Sequence, residues 1–233
     1  MKAILAAKNI SQSFGKLRVL DNISFKVERG EFIAIVGPLG CGKSTLFRIL
    51  SGLLEPSRGE VFSGEKISIV FQKSNLMPWR TLAQNISLPL EVKRLPKEQI
   101  TREVKQILKF IKLGTFTDSF PNQLSQGMKQ LVAIARSIVS GAQILIWDEP
   151  FASLDPLTRE KMNQEVLRLS TLGKKTIILT THSVEEAVFL ADKVIVLSKR
   201  PARVKTIIPI NIPRPRKITP ALEKKIRENI DEF

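Results

Sequence analysis

The chain has 233 residues but only one cysteine and one histidine. A single cysteine excludes an intramolecular disulfide framework, and a lone histidine beside it argues against a zinc site. No apolar run approaches the ~18–20 residues that a membrane-spanning helix needs. The opening stretch MKAILAAKNISQSFG carries Lys2, but its apolar part breaks at Lys8 and Asn9. That is too short and too soon polar for a signal peptide, so the expected location is intracellular. Internal repeats and low-complexity segments are missing too. Acidic residues are in short supply: 37 Lys+Arg against 22 Asp+Glu leave a net charge of +15. Such a balance asks for an anionic partner, whether nucleic acid, lipid headgroup or nucleotide. Residues 193–222 hold eight basic residues and no acidic one. Aromatics are sparse there, so stacking on single-stranded bases is not indicated.

What remains is the composition of a folded protein, with 43% hydrophobic residues to build a core. Residues 31–37 (EFIAIVG) read as a buried strand ending at glycine, and 43–51 as a helix with Leu46, Ile49 and Leu50 on one face. Residues 67–71, 143–148, 176–180 and 194–197 read as further strands. Helical periodicity dominates 78–140, as in 97–113 and 125–139, and returns at 156–172 and 184–191. Strand–helix alternation around an inserted helical stretch predicts a parallel α/β core with a helical subdomain. Prolines 201, 209, 213, 215 and 220 predict an irregular or edge-strand tail, then a short last helix from about Pro220.

Gly37-Pro38-Leu39-Gly40-Cys41-Gly42-Lys43-Ser44 fits G-x-x-x-x-G-K-[ST] between a predicted strand and a predicted helix, the context of a phosphate-binding P-loop. Glycines let successive N–H groups turn inward around phosphate oxygens, and the helix N-terminus adds its positive dipole end. Lys43 is placed to reach the β- and γ-phosphates and the Ser44 hydroxyl to sit on Mg²⁺. Cys41 reads as an inert loop filler. About 100 residues on, the apolar strand Ile144-Leu145-Ile146-Trp147 ends in Asp148-Glu149-Pro150. A strand-end carboxylate beside a P-loop can hold Mg²⁺, and its neighbour can orient or deprotonate an attacking water.

Leu124-Ser125-Gln126-Gly127-Met128-Lys129-Gln130 resembles the LSGGQ-type signature of ATP-binding cassette (ABC) ATPases, with Gln126 in place of the first glycine. A hydroxyl and N–H donors at a helix start suit an anion, and Ser125 also reads as that helix's N-cap. In order along the chain, Phe14 matches the adenine-stacking aromatic and Gln72 the Q-loop glutamine. Ser153-Leu154-Asp155 matches the D-loop and Thr181-His182 the switch histidine.

The resemblance spans nearly the whole chain. It implies an α/β fold, a P-loop NTPase core with an antiparallel β subdomain and an inserted α-helical subdomain at about 78–140. It implies that residues 1–233 form one domain, with a basic tail at about 199–233. It implies ATP and Mg²⁺ as cofactors. Gly37, Pro38, Leu39, Gly40, Cys41, Gly42, Lys43, Ser44 and Thr45 surround the phosphates, and Phe14 meets the adenine. By the same resemblance, Ser125, Gln126, Gly127 and Asp155 are expected to act from a second subunit. Ser44, Gln72 and Asp148 serve the metal, while Glu149, His182 and Gln72 serve catalysis.

Implied partners are a second ATPase subunit, transmembrane permease subunits and, through the complex, an extracytoplasmic solute-binding protein. The chain would lie on the cytoplasmic face of the membrane, and nucleic acid is not expected. Leu76-Met77-Pro78-Trp79-Arg80-Thr81-Leu82, Glu149-Pro150-Phe151-Ala152-Ser153-Leu154-Asp155 and Leu197-Ser198-Lys199-Arg200-Pro201-Ala202-Arg203-Val204 resemble stretches of nitrate, sulfonate and taurine importers. The chain departs from the family at Leu39, where serine is usual, at Gln126, and at Leu131, where arginine is usual. Residues 59–68 are also shorter than the norm. Two other readings of the resemblance are a soluble ABC ATPase acting on nucleic acid or ribosomes, and a nucleotide-binding subunit with weak hydrolysis.

Overall fold

The computed structural model describes residues 3–214, 216, 224 and 226–228. Its centre is a six-stranded sheet of β5 (Ile67–Val70), β6 (Ile144–Asp148), β7 (Thr176–Thr180), β3 (Phe32–Val36), β8 (Lys193–Leu197) and β9 (Val204–Pro209), in that spatial order. The first five are parallel and β9 closes one edge antiparallel to β8. The core strands are apolar at nearly every position because both faces are covered. Phe32, Ala34 and Val36 point into one hydrophobic cluster with Leu145, Trp147, Ile177, Leu179, Val194 and Val196. Ile33 and Ile35 point into the other with Ile144, Ile146, Ile178 and Ile195. Burying each such side chain stabilises the fold by about 1.5–3 kcal/mol.

One face is covered by α4 (Gln126–Val139), α5 (Pro156–Ser170) and α6 (Val184–Leu190). The other carries α1 (Lys43–Leu50) and a three-stranded antiparallel sheet of β1 (Ala3–Phe14), β2 (Leu17–Glu28) and β4 (Arg58–Ser63). Within 78–140, α2 (Leu82–Val92) and α3 (Lys97–Phe110) pack on each other and on α4. Helix α2 opens with a capping box, Thr81 and Gln84 each bonding the other's backbone N–H, which offsets Pro89 inside it. Short β4 and β5 account for the compressed segment at 59–68.

The basic tail is partly spent on the chain itself. Lys193 pairs with Glu31, Arg203 with buried Asp21, and Arg214 and Arg216 with Asp192. The Arg216 guanidinium also donates to the carbonyls of Val188 and Ala191, satisfying the C-terminal end of α6. The last helix expected from about Pro220 lies mostly outside the described residues; 224 and 226–228 are helical. Among the described residues no helix is long and apolar enough to cross a membrane.

Candidate active site

Four loops leave the carboxyl ends of neighbouring parallel strands: Gln72 beyond β5, Asp148-Glu149 at the end of β6, Thr181-His182 after β7, and the P-loop after β3. The strand order β5-β6-β7-β3 gathers residues far apart in the chain. The crevice beyond the carboxyl ends of an open parallel sheet is where such folds bind ligands.

The P-loop joins β3 to α1. Gly40 and Gly42 have φ of 73° and 122°. A Cβ on Gly42 would lie 2.9 Å from both Leu20 Cδ2 and Val19 Cγ1, so conformation and space both require glycine there. Helix α1 has no side-chain N-cap bond and no acid in its first turn, which leaves its positive end to an anion. Cys41 is buried, as a filler should be, and burial pushes its thiol pKa up. Leu39 is 95% exposed. Gly42→Ala should lower stability by about 1–3 kcal/mol through the strained φ alone. Denaturant unfolding measures it, and an unchanged midpoint would contradict the fit.

The Lys43 side chain is only 4% exposed, and its Nζ donates to the carbonyls of Gly37 (3.0 Å) and Pro38 (3.1 Å). It also lies 3.6 Å from Glu149 Oε1. The other Glu149 oxygen, Oε2, is 3.6 Å from His182 Nδ1. Glu149 is thus held between a lysine and an imidazole. Its backbone has φ of 43°, a strained value for a side-chain-bearing residue. The position is pinned by its N–H, which donates to the Thr180 carbonyl (3.0 Å) and hydroxyl (3.1 Å).

Thr180 Oγ1 donates in turn to Asp148 Oδ1 at 2.6 Å, and Ser44 Oγ donates to the same oxygen at 3.4 Å. Burial raises the Asp148 pKa, the two hydroxyl bonds oppose it, and the Glu149 charge adds to it. A desolvated carboxylate beside a hydroxyl fits Mg²⁺, which takes one or two carboxylates and fills its shell with phosphate oxygens and water. Among the described residues no cluster of three or more His, Cys, Asp or Glu could form a cage for a metal.

Gln72 is exposed, and among the described residues no hydrogen bond joins it to Ser44 or Asp148. Its loop is anchored from α4. Gln130 Nε2 donates to the Phe71 carbonyl (3.1 Å), and Arg136 donates to those of Ser74 (3.1 Å) and Asn75 (3.2 Å). Ser125 caps α4, its hydroxyl accepting from Met128 N at 3.2 Å. Gly127 is buried, and a Cβ there would lie 3.1 Å from Thr158 Cγ2 of α5. Asp155 caps α5, with Oδ1 accepting from Thr158 N at 3.0 Å. Among the described residues no hydrogen bond brings Ser125, Gln126, Gly127, Asp155 or half-exposed Phe14 to the P-loop. Leu131 is buried in the core. Sequence reasoning missed Thr180, Gln130 and Arg136. Gln130 and Arg136 stood in plain view on α4, but their contacts with the Gln72 loop arise only in the fold.

Residues 20–152, more than half of the chain, match the family model described as ABC transporter. The chain belongs to the ABC transporter family. It is 42% identical to an uncharacterized ABC transporter ATP-binding protein of Methanocaldococcus jannaschii over 93% of this chain and 85% of that one. It is 34% identical to the aliphatic sulfonates import ATP-binding protein SsuB of Bacillus cereus, over 96% and 91%. A dimeric ATP-binding cassette in a post-hydrolysis state bound to ADP and Pi superposes with a TM-score of 0.77 at 30% identity, covering 89% of this chain and 99% of that one. An ABC transporter component from Clostridium perfringens superposes at 0.81 and 29% identity, covering 90% of both. This ABC protein is an ATP-binding, ATP-hydrolysing subunit of a transporter, with the α/β cassette fold expected from its motifs.

Proposed function

We propose that this subunit binds ATP with Mg²⁺ in the crevice around Lys43 and hydrolyses it to power uptake of a sulfonate, nitrate, taurine or similar small solute. The observation that carries the chemistry is Glu149 held between Lys43 and His182 by a strained backbone. The P-loop N–H groups and Lys43 hold the β- and γ-phosphates, and Phe14 meets the adenine. Glu149 accepts a proton from the attacking water, and His182 positions that water and the γ-phosphate. Ser44 and Asp148, with Gln72, would hold Mg²⁺, which would supply charge stabilisation on the phosphates. Ser125, Gln126, Gly127 and Asp155 make no hydrogen bond to their own P-loop among the described residues, and they serve a second subunit packed head-to-tail. The dimeric relative bound to ADP and Pi supports that arrangement.

Solute choice rests on partners: permease subunits in the membrane and a solute-binding protein outside it. With those partners in vesicles, hydrolysis should rise with the binding protein loaded with a sulfonate, nitrate or taurine. Indifference to all three would refute the solute assignment.

The permease contact is proposed at the turn before α2. Leu76 packs against the core, whereas Trp79 is 72% exposed and is therefore not a core residue. An apolar groove of about 750 Å³ lies between α2 and α3, lined by residues including Ala83, Ile100, Val104 and Leu108. Trp79→Ala should weaken permease binding by about 2 kcal/mol and leave the subunit's melting temperature unchanged. Undiminished co-purification with the permease would refute this contact.

A further inference from the structure

A second cavity, about 650 Å³, lies between α5 and α6 and is lined by residues including Arg159, Asn163, Ser183, Glu186 and Phe189. Arg159 Nε, Asn163 Oδ1 and Glu186 Oε1 are all buried there without a hydrogen-bond partner. Buried polar atoms are rarely left so, and here a spare donor and a spare acceptor share one cavity with a carboxyl group. Glu186 is 3% exposed, and its other oxygen, Oε2, accepts from Thr181 Oγ1. Thr181 Oγ1 itself accepts from Ser183 N at 3.0 Å. The Thr181 hydroxyl therefore bridges the turn that presents His182.

We propose that Glu186 is a positioning residue for ATP hydrolysis, acting through Thr181 on His182, with two settings, ionised and protonated. The proposal rests on His182 and Glu149 serving hydrolysis. Burial pushes the Glu186 pKa up to about 7, against the pull of the Thr181 bond and Arg159. The charges around it are Arg159 and Glu160 of α5, Glu149 at the end of β6, Glu185 beside it, and Arg216. Glu185 is itself paired with Arg227. The ionised form makes the stronger, charge-assisted bond to Thr181, so turnover should be higher above pH 7 than below it.

The single histidine makes the test direct, because the untagged chain has one imidazole resonance. At pH 8, Glu186→Gln and Thr181→Val should both shift it, and Thr181→Ser should restore it. Both shifted variants should turn over about fivefold more slowly, the size of one net hydrogen bond, with unchanged KM for ATP. In carboxyl-labelled wild-type protein, the Glu186 signal should titrate near pH 7 rather than in the ordinary carboxylate range. An unmoved His182 resonance in folded Thr181→Val, or an ordinary Glu186 titration in the wild type, overturns the proposal. A moved resonance with unchanged turnover overturns it too, whereas wild-type turnover in His182→Ala would refute the hydrolytic reading of His182 on which the proposal rests.

Discussion

Glu149→Gln should bind ATP as tightly as the wild type and hydrolyse it about 10²–10⁴-fold more slowly, the usual loss when a general base is removed. The substitution preserves shape and hydrogen bonding, so the backbone pinned by Thr180 has no reason to move. What disappears is the charge facing Lys43 Nζ and His182 Nδ1, each 3.6 Å away. With hydrolysis blocked and binding intact, ATP should hold two subunits together, and sedimentation should show a dimer that accumulates with ATP. Phosphate release at the wild-type rate would remove Glu149 from the role of base.

The second large effect belongs to Lys43. Its ammonium has three donors, and two now meet the carbonyls of Gly37 and Pro38 inside the loop it belongs to. That buried placement leaves the charge at the mouth of the ring of N–H groups, where phosphate oxygens belong. Hydrogen bonds to charged groups contribute about 1.5–3 kcal/mol, so Lys43→Ala should weaken ATP binding about 10- to 100-fold. Calorimetric titration with ATP reads this directly. Unchanged affinity would mean that the phosphates lie elsewhere.

Much of the fold could be read before the structure. The strands at 31–37, 143–148, 176–180 and 194–197 match β3, β6, β7 and β8 to within a residue or two, because strands covered on both faces are short unbroken apolar runs. The antiparallel sheet came only from the family resemblance. In β1 the pairing with β2 slips at several points, so burial does not alternate cleanly and no period-2 pattern survives. Helix α2 hid behind Pro89, although its Thr81 and Gln84 cap was in plain view. The P-loop and the acidic strand end were legible because their chemistry depends on contiguous residues. Thr180 and Glu186 were not, since their roles arise from contacts across the sheet and between helices. The exposure of Trp79 was undecided in the sequence for the same reason: an apolar tetrapeptide does not say which of its members faces in.

The central claim is that each ATP site is shared, with the P-loop from one subunit and the segment around Ser125 from another. Complementation tests it most directly. Lys43→Ala should inactivate the P-loop half. Ser125→Asp should keep a good helix cap while putting negative charge where the γ-phosphate must approach. Each variant alone should be nearly inactive. Mixed, they form heterodimers in which one site carries both lesions and the other carries neither. Shared sites predict that phosphate release reappears on mixing and rises with the fraction of heterodimer. A mixture that forms heterodimers and stays as inactive as its parents would contradict the account.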